Sequence, residues 1–244
     1  MPSQQGKVKG VADIVFLLDV TGSMQPCIDA LKDNISMFID TLSTRDANND
    51  SPVQDWRCKV VGYRDFDVDD EPFIDNPFVR NPDDLKAQLR RLTAEGGGDE
   101  PESLLDALYK LATASSTEKG APEDPYQWRY RSEAARVVVI FTDASYKEDL
   151  SLPEVRGGGF DDVVNAIMPS RIILCVFAPD MECYDRLCEI DKCEYEAITV
   201  NPGEAPQDAL ARFTSDQANF RRTMEQLGRS VSASVATEVL GGFQ

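Results

Sequence analysis

Asp19, Thr21 and Ser23 stand at alternate positions directly after the apolar run Ile14-Val15-Phe16-Leu17-Leu18, in the stretch DIVFLLDVTGSM at 13–24. A carboxylate and two hydroxyls are hard oxygen donors, suited to Mg2+, Mn2+ or Ca2+ and not to a thiophilic ion. The same aspartate has a second chemistry open to it, that of a nucleophile accepting a phosphoryl group. Two other stretches carry related groups. EGGGDEPES at 95–103 sets three glycines and Asp99 just before Pro101, and glycines let backbone approach a ligand closely. ARVVVIFTDAS at 135–145 repeats the plan of the first stretch, an apolar run followed by Asp143. Three carboxylates gathered in one place repel one another unless a cation sits among them.

Whether they gather depends on the elements that carry them. Short, β-branched, nearly continuous apolar runs at 13–19, 57–64, 135–142, 171–178 and 195–200 read as strands covered on both faces. Between them, apolar residues recur at three and four positions. Ile28, Leu31, Ile35, Phe38 and Leu42 make one helical stripe within 24–43, and Leu104, Leu108 and Leu111 make another within 101–115, where Pro101 suits the first turn. Segments 82–92, 160–169 and 216–240 read as further helices. Alternation of this kind predicts an α/β fold, Rossmann-like and doubly wound, with a mostly parallel sheet and helices on both faces. Residues 66–79, with two prolines and the acidic run Asp67-Val68-Asp69-Asp70-Glu71, suit an antiparallel edge hairpin with a solvated turn. Residues 116–134 are polar and Pro/Gly-marked and read as a long loop. The expected organisation is a polar tail over 1–10 and a single domain over 11–240. In an open parallel sheet, ligands bind outside the carboxyl ends of the strands, where Asp19 and Asp143 both lie.

Composition narrows the chemistry. The 244 residues carry a net charge of -18, which disfavours nucleic acid and anionic membranes and favours cations or basic protein surfaces. The chain has no histidine, so triads built on His and the commonest zinc ligand are excluded. No apolar run approaches the roughly 20 residues that span a bilayer, and MPSQQGKVKG has no apolar signal region, so a cytoplasmic location is expected. Of six cysteines, only Cys183, Cys188 and Cys193 cluster. Their five-residue spacing separates side chains by about 140° on a helix, so no shared face is expected and reduced thiols are the simpler reading.

DVTGS resembles the Asp-x-Ser/Thr-x-Ser signature of the von Willebrand factor A family and its metal-ion-dependent adhesion site. The FTDAS aspartate and the GGGDEPE loop follow in that family's order, and VGYRDF at 61–66 resembles its hemicentin-like branch. The resemblance covers about residues 11–240. It implies a non-enzymatic, Mg2+-dependent (or Mn2+- or Ca2+-dependent) protein-binding module, with Thr21 and Ser23 as direct ligands and Asp19 and Asp143 acting directly or through water. Asp99 stands where the family usually has threonine, which lowers the charge of the site and weakens its attraction for a partner's carboxylate. Stand-alone bacterial relatives are often companions of kinases, phosphatases or ATPases, which implies an assembly role.

Two rivals remain open. DVTGS also resembles the phosphoaspartate motif of haloacid-dehalogenase-like phosphatases, with Asp19 as nucleophile, Thr142 as second-motif threonine and Lys147 as the nearby lysine. The second aspartate of that motif is replaced by Thr21, and YEAITVNPG does not end in an acidic pair. The other rival is a metal-free scaffold. Plainer roles exist for each residue: Thr21 or Ser23 as a helix cap, Asp99 or Glu100 as a cap for the helix at Pro101, Asp143 as a turn residue, and Arg64 with Asp65 as an ion pair.

Overall fold

The structure is a computed structural model that describes residues 10–42, 53–97 and 100–238. The expected tail, apart from Gly10, and Asp99 lie outside these residues.

The first strand, β1 (Val11–Asp19), leads through one 3-10 turn, Gly22–Met24, into α1 (Gln25–Leu42). The remaining elements follow in the order β2 (Asp55–Tyr63), β3 (Phe73–Asp75), α2 (Pro82–Arg91), α3 (Leu104–Thr113), β4 (Ala135–Phe141), α4 (Phe160–Ser170), β5 (Ile172–Pro179), α5 (Glu182–Leu187), β6 (Cys193–Ile198), α6 (Pro206–Ser215) and α7 (Gln217–Glu238). The sheet order is β3-β2-β1-β4-β5-β6, parallel throughout except for β3 at the edge. This is the expected α/β architecture. Residues 66–79 hold one antiparallel edge strand and not a hairpin of their own: Phe73–Asp75 pairs against β2, and Val79 bridges Cys58.

Alternation along the strands divides the core in two. Ile14, Phe16 and Leu18 face one layer with Val137, Val139 and Phe141, under α1, α2, α6 and α7. Val15 and Leu17 face the other with Val138 and Ile140, under α3, α4 and α5. Both faces of the strands are buried, which is why their sequences read as unbroken apolar runs. The chain leaves β1 to one side for β2 and later returns on the other side as β4. The carboxyl ends of β1 and β4 therefore flank the point where the strand order reverses, a natural place for a crevice.

Several sequence expectations change. The helix expected over 101–115 begins at Leu104, because Glu102 pairs in a short parallel bridge with Tyr146 and holds the chain extended. Helices α5 and α6 appear where none was read. The 116–134 stretch has no helix or strand of its own, yet it is pinned down: Ser116 bridges Trp128, which is fully buried and donates its indole N–H to Leu111 O. Cys188 and Cys193 converge, with Sγ atoms 3.2 Å apart, because the first caps α5 and the second opens β6 and they do not share a helix. Arg64 and Asp65 do not pair with each other. Arg64 reaches Thr93 O and Glu95 Oε1, and Asp65 is bound by Lys147. The acidic turn is only partly solvated, since Lys147 also binds Asp67, and Asp69 accepts from the Asp65 and Gly97 amides.

Candidate metal centre

Strand β1 ends in a fully buried carboxylate. Asp19 Oδ1 accepts from the Thr21 amide at 2.9 Å and from the Thr21 hydroxyl at 2.7 Å, and its Oδ2 accepts from the Thr142 hydroxyl at 3.0 Å. Thr21 is therefore not the helix cap it could have been. Its side chain turns back to Asp19 and makes no capping hydrogen bond to the turn that follows.

From the neighbouring strand, Asp143 is 3% exposed, and its Oδ2 has no hydrogen-bond partner. Ser23, exposed within the 3-10 turn, sits beside this carboxylate and favours its charged form. Thr21, Ser23 and Asp143 line one crevice of about 410 Å³, together with Gly96, Glu102 and Gln207. Asp19 does not line it; the threonine that it holds does.

The glycine-rich segment closes the third side. Gly97 has a φ of +77°, a left-handed conformation that glycine adopts without strain, and a Cβ there would come within 2.7 Å of Thr21 Cγ2 and 3.0 Å of Glu102 Oε1. Lack of a side chain is what lets this loop lie against Thr21. Asp99, two residues on, lies outside the described residues. Glu100 is exposed and caps nothing, because the N-cap position of α3 is Ser103.

The sequence reading missed Glu102. It is 4% exposed, lines the crevice, and leaves Oε2 without a partner. Its backbone N–H donates to Ser145 O, and its carbonyl accepts from Lys147 N–H. Reading 101–103 as the first turn of a helix had placed this residue at a solvated helix end. The extended backbone buries it instead.

Electrostatics mark the crevice as anionic. Burial, with the charge of Asp143 next, pushes Asp19 up to about 6, against the lowering effect of the hydroxyls of Thr21 and Thr142 and the Thr21 amide. Burial also raises Asp143, opposed by Ser23. Glu102 is pushed up to about 8 by burial first and the charges of Asp19 and Asp65 next. Lys147, whose charge lowers Glu102, is engaged by Asp65 at 2.5 Å and Asp67 at 2.8 Å, and Arg64, which packs beside Gly96, reaches Thr93 O and Glu95 Oε1. Among the described residues, no group of three or more His, Cys, Asp or Glu side chains converges as a metal cluster. What converges on the crevice is a mixed set of carboxylate and hydroxyl oxygens. Partnerless buried carboxylate oxygens beside hydroxyls fit a hard divalent cation. The phosphatase alternative gains the Thr142–Asp19 contact and loses its lysine, since Lys147 is spent on Asp65 and Asp67.

Comparison with known proteins agrees with this architecture. A family model described as "von Willebrand factor A domain" matches residues 13–156, more than half of the chain. The alpha-protein kinase vwkA of Dictyostelium discoideum is 24% identical over 132 residues, which are 54% of this chain and 18% of that protein. A solved structure of proximal thread matrix protein 1 (PTMP1) from the mussel byssus aligns with a TM-score of 0.50 and 14% identity, over 88% of this chain and 47% of that one. That likeness is one of fold alone. The chain thus spans less than half the length of both proteins.

Proposed function

Because the chain belongs to the von Willebrand factor A family, we propose that it is a protein-interaction module whose binding surface is organised by a divalent cation in the crevice beside Asp19 and Asp143. The family as a whole favours protein–protein interaction over catalysis. The finer reading is that Asp19, Thr21, Ser23 and Asp143, with Asp99, form an adhesion-type metal site of the hemicentin-like branch, loaded with Mg2+ or with Mn2+ or Ca2+. One observation supports it above the others: Asp143 Oδ2 is buried, partnerless and next to a second buried carboxylate, Asp19, which has no lysine or arginine paired to it among the described residues. Burying like charges without compensation is costly, and a bound cation removes that cost.

In this reading Thr21 and Ser23 offer hydroxyl oxygens at the crevice, Asp143 offers its free oxygen, and Asp19 orients Thr21 from beneath. The ion would supply positive charge and fix the three loops relative to one another. A partner would then meet a set surface. The relative named as a kinase fits a role beside signalling enzymes, and the high net negative charge fits a cytoplasmic protein that binds other proteins and not nucleic acid. No helix among the described residues is long and apolar enough to cross a membrane.

The test is thermal melting in Mg2+ or Mn2+ against chelator. A cation that binds only the folded state adds about 2.7 kcal/mol at a hundred times its dissociation constant. The melting temperature of the parent rises, and that of Asp19→Ala does not. An unmoved parent, or an equal rise in Asp19→Ala, defeats the metal reading and leaves a metal-free scaffold. Hydrolysis of p-nitrophenyl phosphate that is abolished in Asp19→Asn would establish the phosphatase instead.

A further inference from the structure

Asp19, Asp99 and Asp143, the acids of the proposed site, carry up to three charges against the two of one divalent ion. Glu102 then remains, 4% exposed, lining the same crevice, with Oε2 unbonded. Of the cations in this region, Lys147 is bound to Asp65 and Asp67, and Arg64 reaches Thr93 O and Glu95 Oε1. Glu100, exposed at the same crevice, has the same sign. The Glu102 backbone is fixed on both sides, through Ser145 O and Lys147 N–H, which sets where its side chain enters the crevice.

We propose that Glu102 is the crevice residue that receives the partner, and that the partner group it takes is a basic side chain, an arginine or a lysine, set beside the bound ion. This inference rests on the metal reading above and gives it a partner chemistry. A guanidinium or ammonium supplies donors for Oε2 and the positive charge that would hold Glu102, pushed up to about 8 while unpartnered, in its ionised form. A carboxylate from the partner would instead add a further like charge to a pocket that already holds Asp19, Asp143 and Glu102. The chain's overall acidity steers basic partners toward it at longer range.

The test uses small probes on the full chain, followed by nuclear magnetic resonance at the amides of Ser23, Gly97 and Ala144. Ethylguanidinium chloride and sodium acetate are titrated separately, with Mg2+ and with chelator, into the parent, Glu102→Gln and Asp19→Ala. Ethylguanidinium should shift these amides in the Mg2+-loaded parent, and should bind Glu102→Gln roughly ten- to hundredfold more weakly, the loss expected for one charge-assisted hydrogen bond. Glu102→Asp is the second variant, in which the charge is kept but withdrawn by one methylene, and it should fall between the two. Shifts by acetate and not by ethylguanidinium overturn the proposal while sustaining the metal site. Equal ethylguanidinium binding by the parent and Glu102→Gln, or no shift by either probe, also overturns it. Binding of ethylguanidinium that needs Glu102 but is indifferent to Mg2+ and to Asp19→Ala upholds the Glu102 assignment and sinks the metal reading.

Discussion

Strand β1 carries a fully buried aspartate near each end, and the two have opposite surroundings. Asp13 is held by the guanidinium of Arg57 at 2.7 and 2.8 Å, by Arg129 Nε at 2.7 Å, and by the Arg129 amide at 2.7 Å. Arg129 goes on to Asp55, which also pairs with Arg80. At the other end, Asp19 has two threonine hydroxyls, one amide and a second acid, Asp143, with no lysine or arginine paired to it among the described residues. A buried carboxylate needs compensating charge, and at the Asp13 end the chain provides it twice over. At the Asp19 end the chain provides only neutral donors. The first end is a structural clamp that fastens the 114–134 loop to the sheet. The second is where the proposed cation would sit, and it lies where the strand order reverses.

The largest test of this contrast is Arg57→Ala. Removing one partner of a buried ion cluster leaves charge uncompensated and should cost about 3–5 kcal/mol in urea unfolding, with the Mg2+-dependent rise in melting temperature preserved. Loss of that rise would mean that the two ends are not separate.

Asp19→Asn should do the reverse. In chelator at pH 7 it removes a charge held out of water, and stability should increase by up to about 3 kcal/mol, the equivalent of a shift of about two pKa units. The pH dependence follows the same sign. Asp19 binds its proton more tightly when folded, up to about 6, than when unfolded, near 3.8. Its protonated form therefore adds stability below about pH 4, and that contribution drains away as the pH rises to about 6. Metal-free parent protein should show this loss, and Asp19→Asn should not.

The smallest effect belongs to Arg80→Ala. Arg80 is about half exposed (48%), as are its partners Asp55 and Glu123 in lesser degree, and it should be worth under about 1 kcal/mol and less in high salt. Burial raises Asp55, but hydrogen bonding by Arg80 and the charge of Arg129 outweigh it and hold the carboxyl below its usual range. The contribution of Asp55 is thus present above about pH 4 and lost as the pH falls below it. Arg80→Ala should soften that acid limb, which runs opposite to the Asp19 profile.

These differences also explain what the sequence could and could not disclose. Strand β1 was read to within two residues because nine consecutive buried positions leave an unbroken apolar signal. Asp19, Thr21, Ser23 and Asp143 stood out as candidates because each lies within a few residues of the end of such a run. The Asp13–Arg129 contact joins residues 116 apart, and nothing local in either stretch announces it. Glu102 was hidden by Pro101, which reads as a helix start, whereas the bridge to Tyr146 holds the chain extended. Helix α5 has only six residues, too few to show a period, and α6 is introduced by Pro202, Gly203 and Pro206, which read as loop.

Main-chain bonds from Glu102 to Ser145 and Lys147 stitch the glycine-rich segment to the loop after β4, while the Tyr184 hydroxyl anchors Ala144 from below. A guest arriving at this rim meets strands of loop that are already tethered, so little disorder remains to be given up on arrival. If the proposed cation binds there, its capture should be governed by how fast water leaves the ion, and the Lys147 amide should resist deuterium exchange before any guest is present.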